Sequence, residues 1–325
     1  MPGFTTHYIF GMKAYNDMPF TPLKHTIAKY RWLYQLGLQG PDMFFYNIPI
    51  LRHRDYRNVG SYMHEHKVNA FFECCLRRIG TIRSRQQQEE AISYLAGFIN
   101  HYIADSICHP YVYGRIGYPV DAPTSMYHGM HAHLENELDA ILLWKYKKKK
   151  PSEFNQTATI CLNGQEIQFI SHFLASCINE TYYPITYRNN FQVTPAMVHR
   201  SIWALRFGCR TLSDKNGKKK FSIAQVESIF VNHPVASAKM VTDSVTDYRS
   251  SCNLNHEAWS NPWDPTRVST ASFVDLFHET LDKCSRVYAL LNSAVTDNMP
   301  LDKQDLSPLL AELGNESYHS GLPVD

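Results

Sequence analysis

The chain has 325 residues, of which 44% are hydrophobic and 19% charged. That is the composition of a globular protein and excludes a disordered or fibrous one. The formal net charge is only +2 and no long basic stripe is interleaved with aromatics, so charge gives no sign of tight nucleic-acid binding.

Eight scattered cysteines without a Cys-x-x-Cys pair read as buried thiols of a reducing compartment. The first residues, Met-Pro-Gly-Phe-Thr-Thr-His7, carry neither a basic n-region nor a long apolar run. A cytoplasmic chain without signal peptide or transmembrane segment is therefore expected.

Residues 1–20 are polar and punctuated by Pro and Gly. Over 22–38, Leu23, Ile27, Tyr30, Leu33, Tyr34 and Leu38 recur at helical spacing, predicting one amphipathic helix that ends near Gly37 or Gly40. Gly40-Pro41-Asp42 breaks it, and the apolar run Met43-Phe44-Phe45-Tyr46 sets Asp42 at the edge of a core; a lone Asp beside Pro also reads as a turn or cap residue. The next helix opens at Gly60-Ser61 and runs through Phe71, Phe72 and Leu76. On it His64 shares the apolar face, while His66 leans to the polar side.

Ala91 to Cys108 reads as a helix buried on most sides and ended by Pro110. His101, Asp105 and His109 fall on one stripe of it at i, i+4 and i+8. A carboxylate between two imidazoles in an apolar helix costs several kcal/mol unless it is paired or bound to metal. A second helix from Tyr127 through Trp144 offers two rival pairs, His131/Glu135 and His133/Glu137. Spacing leaves both open, although His131 and Glu135 lie nearer the core face.

After Pro151 the character changes. Asn163-Gly164 marks either a small hairpin or the lead-in to a helix over 169–181. Helices are predicted at about 195–211, 235–248 and 272–295, Lys215 to Lys220 as a solvated loop, and the residues from Asn298 onward as a weakly ordered tail. His256 to Trp263 reads as a helix-capping turn rather than a loop beside a site. The expected organisation is a metal-binding helical domain over 1–150 with a helical extension over 151–325 packed on it.

Ten of the 16 histidines fall within the first 133 residues. Imidazole with carboxylate and no thiolate suits catalytic zinc or another divalent ion better than a closed cysteine site. The set is too rich for one ion, and several ions sharing a carboxylate point to displacement at phosphorus. No His-Glu-x-x-His, Gly-x-Ser-x-Gly or phosphate-cradling glycine loop occurs, which excludes those chemistries.

His101-x-x-x-Asp105, the nearby His109 and His131-x-x-x-Glu135-Asn-x-x-Asp139 resemble the metal-binding helices of the bacterial zinc-dependent phospholipases C. Thr-Thr-His7, Gly40-Pro41-Asp42 and Gly60 to His64 occur in the matching order. The resemblance covers about residues 1–145. It implies an all-α, multi-helix bundle of the type shared with single-strand-specific zinc nucleases, here with additional carboxy-terminal helices. Two or three Zn2+ ions are implied: Asp42, His64, His101 and Asp105 around one, His109, His131 and Glu135 around a second, and His7 with a bridging Asp105 at a third. It selects His131/Glu135 over the rival pair, makes Asp42 the candidate general base, and makes a zinc-bound water the nucleophile of a phosphodiesterase. The partner implied is a phosphodiester substrate such as a phospholipid, with a nuclease or nucleotidase on the same fold, or a non-catalytic metal-stabilised protein, as alternatives. The chain departs from the family in placing His109 four residues after Asp105 rather than six, and in having no β-sandwich.

Overall fold

The computed structural model describes residues 3–46, 59–122, 125–188, 192–230, 237–245 and 247–325. The first half forms α1 (Phe4–Asp17), α2 (Pro22–Lys29), α3 (Arg31–Gly37), a 3-10 turn (Gly40–Tyr46), α4 (Val59–Glu65), α5 (Val68–Thr81), α6 (Arg85–Arg115) and α7 (Ser125–Lys147). After these come α8 (Gly164–Arg188), α9 (Pro195–Thr211), α10 (Lys218–Phe230), a short α11 (Tyr248–Ser251), the antiparallel hairpin β1 (Trp259–Asn261) and β2 (Asp264–Ser269), α12 (Phe273–Thr296) and α13 (Ser307–Leu313). The fold is an all-α bundle with additional carboxy-terminal helices, as expected.

α6 is the axis. Nearly every residue from Glu90 to Val112 is buried, so the helix has no solvent face along that stretch, and other helices pack around it. One is α12, which buries Phe273, Leu276, Phe277, Thr280, Cys284, Val287, Tyr288 and Leu291, a stripe at helical spacing. It starts at a capping box in which the Ser272 hydroxyl accepts from Asp275 N–H while the Asp275 carboxylate accepts from Ser272 N–H, satisfying two orphan donors. The apolar cluster around the upper part of α6 joins Phe4 and Leu23 to Ile178, Leu291 and Tyr318, so both halves of the chain share it.

Several local expectations are corrected. Residues 4–17, for which no element was predicted, form α1. The predicted helix over 22–38 is two, broken at Tyr30, whose carbonyl accepts a bond from the Ser93 hydroxyl of α6. The helix opening at Gly60 is likewise two, with Lys67 between them in the left-handed region at φ 49°. Pro110 does not end α6; the helix continues to Arg115. A proline loses its own N–H and crowds the carbonyl four residues back; that carbonyl, of Ser106, lies against Gly321, which at φ +60° has no Cβ to collide with it or with the Pro110 ring.

Asn163-Gly164 leads into α8, so no hairpin forms there. The loop expected over 215–220 ends at Gly217, and Lys218–Phe230 is a helix for which no element was predicted. Of the helix predicted at 235–248, residues 235, 236 and 246 lie outside the described residues; within them only a 3-10 turn, Ser237–Lys239, forms before Tyr248. His256 to Trp263 enters a hairpin rather than a helix cap. The residues after Asn298 are an ordered part of the core, with Leu301, Leu309, Leu313 and Tyr318 buried, because their spaced apolar side chains close the open side of α5 and α12.

Candidate metal centre

The turn Gly40–Tyr46 sets the first group. Gly40 has φ +46°, and a Cβ there would collide with the His101 ring; only glycine lets the turn come close enough to bring Asp42 to α6. Asp42, His64 from α4, and His101 and Asp105 from α6 then offer ligand atoms within 4.8 Å of one another, all four buried. His64 Nε2 is 3.2 Å from Asp42 Oδ1 and 3.7 Å from Asp105 Oδ2, and His101 Nε2 is 3.0 Å from Asp105 Oδ2.

The second group comprises His109, His131 and Glu135. His109 is one further turn along α6, so the i, i+4, i+8 stripe reaches from one group to the other over about 12 Å of helix. Its Nε2 is 3.5 Å from Glu135 Oε1, and His131 Nε2 is 2.5 Å from the same oxygen. The shortened spacing between Asp105 and His109 does not remove His109 from the group. Asp105 joins the two sets: its Oδ1 lies 3.7 Å from His109 Nδ1 and 3.1 Å from His7 Nε2.

His7 falls in neither group. It stacks on His101 with centroids 4.0 Å apart, and its ring is fully buried with Nε2 facing Asp105. Asp139 holds it there indirectly by accepting the N–H groups of Thr5 and Thr6 at 3.1 and 2.7 Å, which caps the open start of α1 from another helix. The rival pair is separated by its surroundings: Glu137 is buried against the Ser251 hydroxyl, and His133 is half exposed, 3.6 Å from Glu137.

Tautomers follow from the partners. His64 Nδ1 contacts Gly60 O at 2.6 Å, His101 Nδ1 contacts Leu38 O at 3.1 Å, and His109 Nδ1 contacts Tyr318 O at 2.6 Å. A carbonyl can only accept, so each Nδ1 carries the proton and, in the neutral ring, each Nε2 presents a lone pair. Metal-ligating histidines are held in this way. The Tyr318 carbonyl comes from the supposed tail, whose Tyr318 N–H also donates to His64 O at 2.9 Å. His319 lies beside it, with its ring stacked on His64 at 4.9 Å and 5.6 Å from His109. Neither residue carries a periodic signal in the sequence; a Tyr-His pair between Ser and Ser-Gly was the only mark.

Electrostatics point the same way. Burial alone would raise the Asp105 carboxyl, but His101, His109 and His7 outweigh it and hold its pKa well below 3.8. Burial opposes charge on His101, yet Asp105 and Asp42 raise its pKa above 6.5. Burial drives His109 and His131 well below 6.5 and Glu135 well above 4.5. The Nε2 atoms of His64, His101 and His109, both oxygens of Asp105 and Oδ1 of Asp42 are buried without hydrogen-bond partners. Such atoms are costly in a core, and a divalent cation supplies what they lack. The donor chemistry, neutral imidazole with carboxylate, fits zinc.

Fold and site together define a helical protein built around two adjoining histidine–carboxylate groups suited to metal. Residues 6–186, more than half of the chain, match the family model described as zinc dependent phospholipase C, and the chain belongs to that family. No curated protein and no solved structure matches it. Family and geometry support a zinc-dependent, phospholipase-like hydrolase. Among the described residues no helix is long and apolar enough to cross a membrane.

Proposed function

We propose that the chain is a zinc-dependent phosphodiesterase of the phospholipase C kind. One observation carries this reading: two groups of histidine nitrogens and carboxylate oxygens, each within ligand distance of one another, adjoin through a single carboxylate, Asp105. In it Asp42, His64, His101 and Asp105 hold one ion, and His109, His131 and Glu135 hold a second. His7 stays against Asp105 and helps to hold that carboxylate in its ionised form.

When bound, zinc acidifies water and neutralises charge on the phosphoryl oxygens. The protein supplies the rest. In this reading Asp42, which the family resemblance makes the candidate general base, accepts the proton of the attacking water. The carbonyls of Gly60, Leu38 and Tyr318 fix the imidazoles, so little reorganisation is needed during reaction. Tyr113, 4.6 Å from the His131 ring, keeps water away on that side.

A nuclease or nucleotidase is the second reading. It is favoured by Trp263, which stacks on Tyr118 at 5.7 Å and meets Tyr113 edge-on at 4.9 Å beside the second group, an aromatic surface on which a base can stack.

Elemental analysis of the purified chain, with turnover of a chromogenic phosphodiester, a phospholipid and single-stranded DNA, tests both. The expected result is two zinc ions per chain and phosphodiester turnover lost on zinc removal, with phospholipid preferred to DNA. Preference for DNA selects the second reading. A folded chain that takes up no metal, or that holds zinc and turns over none of the three, overturns both and leaves the ions at most a structural role.

A further inference from the structure

The histidines near the two groups divide by the partner of Nδ1. His64, His101 and His109 face carbonyl oxygens, which forces the proton onto Nδ1 and leaves Nε2 as a lone pair. His319 differs, because its Nδ1 faces the Tyr113 hydroxyl at 3.2 Å. A phenol can donate. If it does, Nδ1 becomes the acceptor and Nε2 carries the proton, so the ring is a hydrogen-bond donor rather than a metal ligand. Tyr113 keeps its proton, since burial and then Glu135 raise its pKa far above 10.

The position of His319 suits a donor. Its ring stacks on His64 of the first group, within 15° of parallel, and lies 5.6 Å from His109 of the second. Its ligand atoms belong to neither candidate metal group. The backbone that delivers it is fixed at several points. Tyr318 N–H is bonded to His64 O and Tyr318 O to His109 Nδ1. Asn261 Nδ2 donates to Ser320 O at 2.7 Å, and Gly321 N–H donates to Ser317 O at 3.0 Å. A side chain held this firmly next to both groups, yet belonging to neither, is positioned to contact a ligand that spans them.

We propose that His319 is a substrate-contacting residue, whose Nε2–H donates to an oxygen of a phosphoryl group lying between the two histidine–carboxylate groups. It rests on the phosphoric-ester reading for the class of ligand. Tyr113 is the positioning residue that sets its tautomer.

Inorganic phosphate is the probe, titrated calorimetrically into the zinc-loaded full-length chain, with zinc per chain and melting temperature measured in parallel. His319→Ala is expected to weaken phosphate binding about tenfold or more, the size of a hydrogen bond to a charged group, with zinc content unchanged. His319→Gln, whose amide N–H falls near the position of Nε2–H, is expected to recover most of the affinity. Tyr113→Phe is expected to weaken phosphate binding by a smaller factor, again at full zinc.

Loss of zinc in His319→Ala makes the residue a ligand and overturns the proposal. So does unchanged phosphate affinity, and so does a glutamine variant as weak as alanine with an equally lowered melting temperature, which marks a structural role. A wild-type chain that holds zinc and binds no phosphate overturns it as well. A wild-type chain that binds phosphate through His319 but hydrolyses no ester leaves this contact standing and removes only the phosphodiesterase reading.

Discussion

The two groups differ in closure. Asp42, His64, His101 and Asp105 come from a turn and two helices, supply four side chains and are at most 2% exposed. His109, His131 and Glu135 supply three, and the side chains of His131 and Glu135 are 12% and 10% exposed. Closed four-ligand zinc sites are structural by habit, whereas catalytic sites keep a position open. On the proposed reading the first group would hold its ion the more tightly and the second would be the more open to substrate, with Asp105 lying between them.

Asp105→Ala breaks both sides at once. It is expected to abolish zinc binding at the first group, weaken it at the second and lower turnover by about 10⁴-fold. Removing the carboxylate that faces His7, His101 and His109 leaves a gap among buried polar atoms and should destabilise the metal-free fold by about 1–3 kcal/mol. Elemental analysis and denaturant unfolding check this.

Glu135→Ala separates the groups. Turnover is expected to fall about 10³-fold, equivalent to about 4 kcal/mol, while one zinc ion remains and the melting temperature barely moves. Loss of both ions would erase the distinction between anchor and open site. Stepwise chelation reads the same contrast thermodynamically. The second ion is expected to leave first with little change in melting temperature. Release of the first then costs up to about 4 kcal/mol at ion concentrations a thousandfold above its Kd.

The smallest effect concerns Asp139, the carboxylate that caps α1. Burial pushes its pKa up from 3.8 to about 6, against the Thr6 and Thr5 donors that pull it down. The folded state therefore binds this proton more tightly than the unfolded chain does. The resulting stability is complete below about pH 4 and is lost as pH rises through about 6, a change of order 3 kcal/mol. In metal-free protein, the difference in unfolding free energy between wild type and Asp139→Asn should fall over that window; a difference that rises instead would show that the N–H bonds outweigh burial.

Much of the centre was legible because it is written in helical period. His101, Asp105 and His109 share a stripe by spacing alone, and His64 was picked out by its apolar neighbours. The choice between His131/Glu135 and His133/Glu137 was not written that way. It depends on Ser251, which lies more than a hundred residues away and takes Glu137. At the break at Tyr30 the carbonyl likewise meets a distant residue, the Ser93 hydroxyl. The end of the chain was misread because a short, Ser- and Gly-rich segment has no period to detect, and its order comes from backbone bonds to Asn261, His64 and His109. α10 was missed for another reason: its lysines resemble a loop when only charge is weighed, and much of the helix is exposed.

The carbonyl of Tyr318 also sets a schedule. The histidines and carboxylates of both groups are synthesised by Glu135, yet the oxygen that orients His109 comes only with residue 318. At 5–20 residues per second, the ribosome needs roughly 10–40 s to cover that interval. Through it α6 and α7 can form and pair, but the imidazole of His109 lacks the partner that turns its lone pair inward. The second group is therefore complete only once the carboxy-terminal segment has folded back onto α6.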